Sequence, residues 1–531
     1  MPDWTYHPLR GFAARMFGRR RSQRAALRAF ATLTSLPGGA QVVAAVSGLP
    51  RTPPESARRL GAVVPVRHAG DAVRALPLLG AGVMEIGPVT AGDVPAVRDA
   101  VARRRCPVLV RTTDPVVAAA LEPHVDRVIV GVSPGIVHLT EPGIEAARRA
   151  LAEPDAIVLA TTGVLVAAGP GWFQRVIEAA TPTEAAPGLR QVGRDPRRWP
   201  GWLWGLLVAA GMIGGGLGAA VITLAPVLLW YDNDYLGMHR EHLAALNGHL
   251  VSFLQHDRIT MAGTMVAIGI LYAGLAWGGI RRGWPWSRTS YLLSGAFGFP
   301  TVLYFLFSGF LEPLHAAVTV LLFPMFVLAV ARRPDVPRWS PVTDGPERLR
   351  VRALTGQLLM IITGAGLFAG GLVVSVVGLT DVFVPTDLSF LGAHAAELRQ
   401  ANPRLLPFIA HDRAGFGGAL ASAALAIVTL SAWGWRRGSG WVWWTLAGAA
   451  TAGFLPAIVV HMVIGYTDGE HLAPVYFGVV STAVALALSH SYLCAPAPAE
   501  AELGRRTTAG AVAADDPPAG GHRRGGVDPN G

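Results

Sequence analysis

A series of apolar stretches, each about as long as a membrane-spanning helix, occupies residues 201–491 and constrains the fold more than any other feature. Most of them reach the roughly 20 residues that an α-helix needs to cross a bilayer core. The eight predicted spans are 202–230, 259–280, 289–308, 314–331, 353–378, 414–435, 440–464 and 472–490. Charged residues make up 15% of the chain, which is low for a soluble protein. The pattern therefore predicts an all-α polytopic membrane domain.

Arginine is unevenly distributed among the loops that join these stretches. The chain contains no lysine, so arginine carries all 45 basic charges. The loops after the second, fourth and sixth spans contain Arg281, Arg282, Arg288, Arg332, Arg333, Arg338, Arg348, Arg350, Arg352, Arg436 and Arg437. Arginine-rich loops stay on the cytosolic side of a membrane. We therefore expect a multi-pass plasma-membrane protein with both termini in the cytosol and with loops 231–257 and 379–412 facing outward.

The apolar region contains an internal repeat. A shift of 155 residues superimposes His256-Asp257-Arg258 on His411-Asp412-Arg413 without a gap. After one inserted residue, Glu312-x-x-His315 aligns with Asp468-x-x-His471. Each copy contains four predicted spans, an even number, so both copies have the same orientation in the membrane. The predicted architecture is two parallel four-helix repeats.

The repeated polar residues form the candidate ligand site. In each repeat the His-Asp-Arg triplet begins the second span and the acid-x-x-His begins the fourth, so both motifs lie at the outer face under the predicted topology. Within each repeat, the five side chains are expected to converge at one membrane depth. The candidate residues are His256, Asp257, Arg258, Glu312 and His315 in the first repeat, and His411, Asp412, Arg413, Asp468 and His471 in the second.

Four interpretations of these residues remain open. An aspartate at a helix start can cap free backbone N–H groups, and the arginine after it can pair with the acid of the fourth span. Capping does not explain the recurring histidines. Histidines with a carboxylate suit Zn²⁺ or Cu²⁺, and the candidate metal ligands are His256, His315, His411 and His471. Arginine with histidines suits an anionic ligand or a lipid headgroup. Proton transfer or quinone-linked redox chemistry is the fourth alternative.

His461, in "FLPAIVVHMVIGY", is the clearest ionisable residue within a predicted span. We interpret it as a buried histidine whose hydrogen bonds are satisfied, with a role in a transport pathway as the alternative. The glycine-rich stretches of the spans contain no Gly-Lys-Ser/Thr motif, so they indicate close helix packing and not an ATPase.

Before the apolar region, residues 36–190 alternate strand-like and helix-like segments. The candidate strands are 62–66, 82–89, 107–111, 127–133 and 156–163, and segments such as 92–105 and 142–152 are predicted to be helical. This alternation is typical of βα units and a parallel sheet. Five strands are too few for an eight-stranded barrel, so the predicted fold is an α/β domain with a partial TIM-barrel-like sheet.

Several segments of this part resemble quinone-linked dihydroorotate dehydrogenases. "LPLLGAGVMEIGPVT" (76–90) resembles the second strand region of those flavin enzymes, and "VDRVIVGVSPG" (125–135) is similar to their central strand. "TTGVLVAAGPGWFQRVIEA" (161–179) resembles their last strand and closing helix. Residues 6–33 resemble their N-terminal membrane-docking extension.

The chain departs from that family at the flavin and substrate motifs. Val66-Arg67-His68-Ala69-Gly70 stands where the family has a glycine-rich segment ending in lysine. Gly131-Val132-Ser133-Pro134-Gly135 replaces the run that contains the substrate-binding asparagines. We therefore expect a shortened, non-catalytic relative with no cofactor and no catalytic residues, in a protein for ligand sensing, scaffolding or transport. The alternative is a membrane-bound oxidoreductase that binds FMN and reduces quinone.

These observations divide the chain into six parts. They are a basic amphipathic membrane-docking segment (1–35), the α/β domain (36–190), a linker (191–200), two membrane repeats (201–345 and 346–494) and a disordered tail (495–531). Cys106 and Cys494 form neither a disulfide framework nor a CxxC metal pair. The expected partners are the lipid bilayer and a metal ion or an anionic ligand, and nucleic acid is not expected. The sequence does not predict an oligomeric state.

Overall fold

The computed structural model of the chain describes residues 3–47, 55–131, 133–303, 310, 312–332, 336–340 and 345–496. Nearly all of the predicted tail, from residue 497 onward, and residues 304–308 of the third predicted span lie outside these ranges. The described chain forms an α/β domain followed by a region of long apolar helices, as the sequence predicts.

The α/β domain is built around six strands in the described part of the chain. They are β1 (Leu60–Val64), β2 (Val83–Ile86), β3 (Val108–Thr112), β4 (Arg127–Val130), β5 (Ile136–Leu139) and β6 (Ile157–Ala160). Its helices are α1 (Asp3–Phe17), α2 (Arg19–Leu33), α3 (Gly39–Ser47), α4 (Glu55–Arg58), α5 (Val66–Ala75), α6 (Val94–Val101), α7 (Pro115–Leu121), α8 (Ile144–Ala152), α9 (Thr162–Ala168) and α10 (Trp172–Ala180).

The strands pair in parallel in the order β4-β3-β2-β1-β6-β5 and form a half-barrel. The central strands are rich in valine, leucine and isoleucine because helices cover one face and the curled sheet covers the other. The curl brings His138 of the edge strand β5 to Glu85 of β2, with Nε2 3.0 Å from the carboxylate. The prediction of five strands was wrong by one. The missing strand, β5, contains the polar residue His138 and is half exposed, so it lacks a continuous apolar run.

Seven helical segments in the described chain are long and apolar enough to cross a membrane. The helices of this region are α11 (Gly201–Leu224), α12 (Trp230–Leu236), α13 (Arg240–Leu246), α14 (Leu250–Gly274), α15 (Pro285–Gly298), α16 (Pro313–Ala331), α17 (Glu347–Leu379), α18 (Pro385–Leu391), α19 (Ala395–Ala401), α20 (Leu405–Gly434), α21 (Gly440–Ile464) and α22 (Gly469–Leu493). The seven segments are α11, α14 with its continuation to Arg282, α16, α17, α20, α21 and α22.

The third predicted span, 289–308, is not among these seven membrane-length segments. Its described part consists of the end of α15 and a 3₁₀ segment, Phe299–Leu303. Because α15 has only 14 residues, the described part is too short to cross a bilayer core.

The α/β domain packs against one end of the helical region, which we call the domain end. Arg350, in the first turn of α17, donates to the Asp3 carboxylate over 3.2 Å and to the Ala168 carbonyl over 3.1 Å. Arg436, just after α20, donates to the Glu178 carboxylate of α10 over 2.7 Å. The opposite end, where the short helices α12, α13, α18 and α19 lie, is called the distal end.

Candidate functional site

Helices α14 and α20 pack side by side and bring the two His-Asp-Arg triplets together inside the distal end. Arg258 donates from Nε to the Asp412 carboxylate over 2.8 Å, and Arg413 donates from Nε to the Asp257 carboxylate over 3.2 Å. All four side chains are at most 10% exposed. Each arginine therefore pairs with the aspartate of the other triplet, and the two pairs are reciprocal.

Each arginine is held by a second carboxylate and by a backbone carbonyl. Arg258 Nη1 lies 3.3 Å from Asp232 Oδ2, and Arg413 Nη1 lies 2.5 Å from Asp387 Oδ2. The same Nη1 atoms donate to the carbonyls of Val227 (2.7 Å) and Val382 (2.9 Å). We call the six charged side chains Arg258, Arg413, Asp232, Asp257, Asp387 and Asp412 the ion-pair core.

The two valines that supply these carbonyls adopt an unusual backbone conformation. Val227 has a φ of 66° and Val382 a φ of 70°. A β-branched residue with positive φ is strained, because its Cβ crowds the backbone. The strain occurs at two positions 155 residues apart, both facing a buried guanidinium. The strained conformation therefore accompanies the hydrogen bond that each valine carbonyl accepts from a buried arginine.

The capping interpretation of the triplets was wrong. α14 begins at Leu250 and α20 begins at Leu405, so Asp257 and Asp412 lie about two turns inside their helices. The predicted pairing of Arg258 with the acid of the fourth span was also wrong, because Asp412 and Asp232 occupy the guanidinium instead. Both helices begin several residues before their apolar runs. The apolar pattern therefore predicted the first residue of each helix too late in the sequence.

Three imidazole rings meet beside Asp257 and form what we call the histidine cluster: His256 of α14, His461 of α21 and His471 of α22. The ring centroids are 4.3 Å apart for His256 and His461, 5.2 Å for His461 and His471, and 5.9 Å for His256 and His471. One ligand atom from each residue lies within 4.8 Å of the other two. The Tyr466 ring stacks on His471 with a centroid distance of 4.5 Å and covers one side of the cluster.

The orientation of His461 is fixed by its own helix. Its Nδ1 lies 2.6 Å from the Ala457 carbonyl, and a carbonyl oxygen only accepts, so Nδ1 carries the proton and Nε2 has the lone pair. Nε2 is buried and makes no hydrogen bond to any described residue. The expectation of a fully satisfied buried histidine is therefore met for one ring nitrogen only. A buried acceptor without a donor is unusual, and such a nitrogen is able to bind a ligand.

On the other side of the ion-pair core, Glu312 and His315 of the first repeat meet His411 of α20 and form the glutamate cluster. His315 Nδ1 lies 2.8 Å from Glu312 Oε2, and Tyr231 donates its hydroxyl to Glu312 Oε1 over 2.9 Å. Ligand atoms of the three cluster residues lie within 4.8 Å of one another. Burial favours a higher pKa for Glu312, but the hydrogen bond and charge of His315 outweigh it and lower the pKa to about 2. The carboxylate is therefore ionised at neutral pH.

The clusters combine residues from both sequence repeats, so the expectation of convergence within each repeat was wrong. His256 joins His471, whereas His411 joins Glu312 and His315. The crossing follows from the contacts of α14 with α20 and α21, which belong to the other repeat. Asp468 is the candidate residue that joins neither a cluster nor the ion-pair core. It is exposed at the start of α22, where its Oδ1 accepts from the His471 N–H over 2.8 Å.

His461 takes the position in the histidine cluster that an acid occupies in the glutamate cluster, and it was not among the predicted site residues. Its burial within a span was visible in the sequence, and that signal marks functional residues. The face of α21 that it occupies, however, depends on packing between helices. No sequence spacing relates it to His256.

Both clusters offer ligand sets that transition metals prefer. Three imidazoles, or two imidazoles and a carboxylate, are typical of Zn²⁺ sites that keep a fourth position for water or substrate. Imidazole also binds Cu²⁺ well, whereas Ca²⁺ and Mg²⁺ prefer oxygen ligands. The carboxylates next to His256 and His411 lie 3.1 Å from the Nδ1 atoms, where they can orient the rings and stabilise positive charge.

Comparison of the chain with protein-family models, with curated proteins and with solved structures gives no match. Function must therefore be argued from the residues of the site itself.

Proposed function

We propose that this protein is a plasma-membrane protein that binds transition-metal ions at the histidine cluster and at the glutamate cluster. Under this proposal the helical region has eight spans in two parallel repeats, both termini are cytosolic and the distal end faces outward. The arginine distribution among the loops supports this orientation. The α/β domain is then the cytosolic part, a non-catalytic relative of dihydroorotate dehydrogenases.

The observation that carries the proposal is the state of His461. A buried imidazole whose Nδ1–H is bound to a backbone carbonyl presents Nε2 as a ligand, which is the usual arrangement of metal-binding histidines. Two further imidazoles, of His256 and His471, lie beside that nitrogen.

Zn²⁺ is the ion that we expect first. Zn–N bonds of about 2.0–2.1 Å in a tetrahedral site place the ligand nitrogens about 3.4 Å apart. The ligand atoms of each cluster lie within 4.8 Å of one another, so small side-chain rotations would bring them to that separation. Each cluster would leave a fourth coordination position, which suits an ion that is captured and released. The proposed role is therefore sensing or transport of a metal ion that enters from the outer side.

Metal content of the purified protein tests the proposal. The full chain, purified in detergent, is stripped with a chelator, loaded with Zn²⁺, passed through a desalting column and analysed by mass spectrometry of the elements. We expect two Zn²⁺ per chain for the natural sequence and one for His461→Ala. His242→Ala, which removes an exposed histidine outside both clusters, is the control and should retain two.

Two results would contradict the proposal. One is a loaded natural protein with no zinc above the level of the buffer. The other is an unchanged zinc content in His461→Ala while that variant elutes as the same folded species.

A further inference from the structure

The loop between α21 and α22 connects two members of the histidine cluster. His461 lies in the last turn of α21, and His471 is the third residue of α22. Gly465 follows α21 in the left-handed conformation, with a φ of 76°, which glycine commonly adopts after a helix C-terminus. The next residue, Tyr466, is only 2% exposed although it belongs to a loop. Its side chain therefore lies inside the protein, beside the cluster.

Stacking fixes the position of the Tyr466 ring independently of its hydroxyl. The ring stacks on Phe390 of α18 with a centroid distance of 4.7 Å and an interplanar angle of 18°. It also stacks on His471, at 4.5 Å and 26°. Removal of the hydroxyl by Tyr466→Phe should therefore leave the ring in place, so that variant isolates the contribution of the hydroxyl.

The Tyr466 hydroxyl donates to a carboxylate of the ion-pair core. Its oxygen lies 2.9 Å from Asp387 Oδ1, and the other oxygen of that carboxylate, Oδ2, accepts from Arg413. A carboxylate that pairs with a guanidinium only accepts, so the phenolic proton lies between Tyr466 and Asp387. The Thr386 hydroxyl, 3.0 Å away, can donate its own proton to the phenolic oxygen. The phenolic oxygen therefore meets any further neighbour as an acceptor.

That further neighbour is the imidazole of His471, whose Nδ1 lies 3.3 Å from the phenolic oxygen. Because the oxygen accepts in this contact, Nδ1 carries the proton and Nε2 has the lone pair. The Ala457 carbonyl sets the same tautomer in His461. Two of the three imidazoles of the cluster thus present Nε2 as a metal ligand, and each has a different partner at Nδ1.

The first repeat orients its histidine in another way. At the position equivalent to this tyrosine it has Phe310, which carries no hydroxyl. His315 faces Glu312 directly, with Nδ1 2.8 Å from the carboxylate. The counterpart of Glu312 in the second repeat is Asp468, and its carboxylate accepts from the backbone N–H of His471. The tyrosine hydroxyl thus occurs in the repeat whose acid binds the backbone, where the imidazole needs another partner.

We propose that Tyr466 is a positioning residue of the histidine cluster, which holds His471 in the tautomer whose Nε2 binds the metal ion. Asp387 accepts the phenolic proton, so a chain of hydrogen bonds runs from the ion-pair core to a metal ligand. The inference rests on the proposed function, because it concerns the affinity of one of the two metal sites. Groups that hold the second nitrogen of a ligating histidine typically strengthen metal binding about 10–100-fold.

The Zn²⁺ affinity of the histidine cluster tests this role. The full chain carries His315→Ala, which removes a ligand of the glutamate cluster and leaves the histidine cluster intact. The purified protein is stripped of metal in detergent and titrated with Zn²⁺ against a competing chelator. We expect the added substitution Tyr466→Phe to weaken Zn²⁺ binding about 10–100-fold. Tyr476→Phe, which removes the hydroxyl of an exposed tyrosine of α22, is the matched control and should keep the affinity.

Two further measurements separate positioning from other roles. In a chain with His461→Ala, which retains the glutamate cluster, Tyr466→Phe should leave the Zn²⁺ affinity unchanged. In the chain with His315→Ala, the visible absorption of Co²⁺ at saturation should also be unchanged by Tyr466→Phe, since all three imidazoles still bind. Phenylalanine at the equivalent position of the first repeat, Phe310, indicates that the loop accepts this residue.

Three results would overturn the inference and leave the metal proposal intact. One is an unchanged affinity of the histidine cluster in Tyr466→Phe. Another is an equal loss of affinity in both backgrounds, which would indicate a general loss of stability. The third is a changed Co²⁺ spectrum, which would identify the hydroxyl as a metal ligand itself. If the chain with His315→Ala bound no Zn²⁺ at all, the metal proposal would fail together with this one.

Discussion

Arg258 and Asp412 form a buried ion pair between two helices although they are 154 positions apart in the chain. Their repeat counterparts, Arg413 and Asp257, form the same contact in the opposite direction. The two pairs hold α14 against α20 and set the positions of His256 and His411, which directly precede the aspartates. The ion-pair core is thus the structural support of both clusters.

Removing one member of this core should destabilise the protein strongly. In Asp412→Ala, the Arg258 guanidinium stays buried and loses its nearest carboxylate, and such losses cost about 3–5 kcal/mol. Glu145→Ala, which breaks the Arg148 pair on α8, is the control. That pair is exposed by about 40%, so its loss should cost about 1 kcal/mol or less. The free energy of unfolding in detergent measures both. Equal losses would mean that the core does not support the fold.

Much of the fold could be predicted from the sequence because apolar runs and βα alternation are local patterns. Strand β5 was missed because His138 interrupts its apolar residues and half of the strand is exposed. The ten candidate site residues were chosen from the repeat, and all but Asp468 lie in a cluster or in the ion-pair core. Their partners could not be predicted, because the partner of Arg258 depends on which faces of α14 and α20 pack together. The repeat indicates which positions are equivalent. It does not indicate whether a residue contacts residues of its own repeat or of the other repeat.

Pairs of histidine substitutions should reveal the crossing of the repeats. His256 and His471 belong to one cluster, so the double variant His256→Ala/His471→Ala should retain one Zn²⁺ per chain. His256 and His315 belong to different clusters, so His256→Ala/His315→Ala should retain none. Zinc content after loading and desalting is the measurement. If the first double variant lost both ions and the second kept one, the sites would lie within the repeats.

Arg350 should hold the N-terminal helix and the α/β domain to the membrane helices. It donates to Asp3 of α1, to the Ala168 carbonyl and to His7 Nε2. Arg350→Gln removes these charged contacts, and each charged hydrogen bond contributes about 1.5–3 kcal/mol. Amide hydrogen exchange in α1 should therefore accelerate about tenfold or more. Arg348→Gln, two residues earlier in α17 and exposed, is the matched control. Exchange that is equally fast in both variants would contradict the assignment.

His7 should make this attachment sensitive to pH. Burial and the Arg350 guanidinium lower its pKa below the ordinary 6.5, and the opposing charges of Asp3 and Glu347 do not compensate. The unfolded chain therefore binds a proton first, and stability that is present above pH 6.5 is lost as the pH falls toward the lowered pKa of His7. Asp3 does not contribute in this window. Although burial raises its pKa, Arg175 and Arg350 lower it below 3.8.

We expect the melting temperature of the natural protein to fall between pH 7.5 and 5.5, and the fall to be smaller in His7→Gln. His124→Gln, which changes an exposed histidine of the same domain, should keep the natural fall. A fall in His7→Gln as large as in the control would show that His7 is not the titrating group.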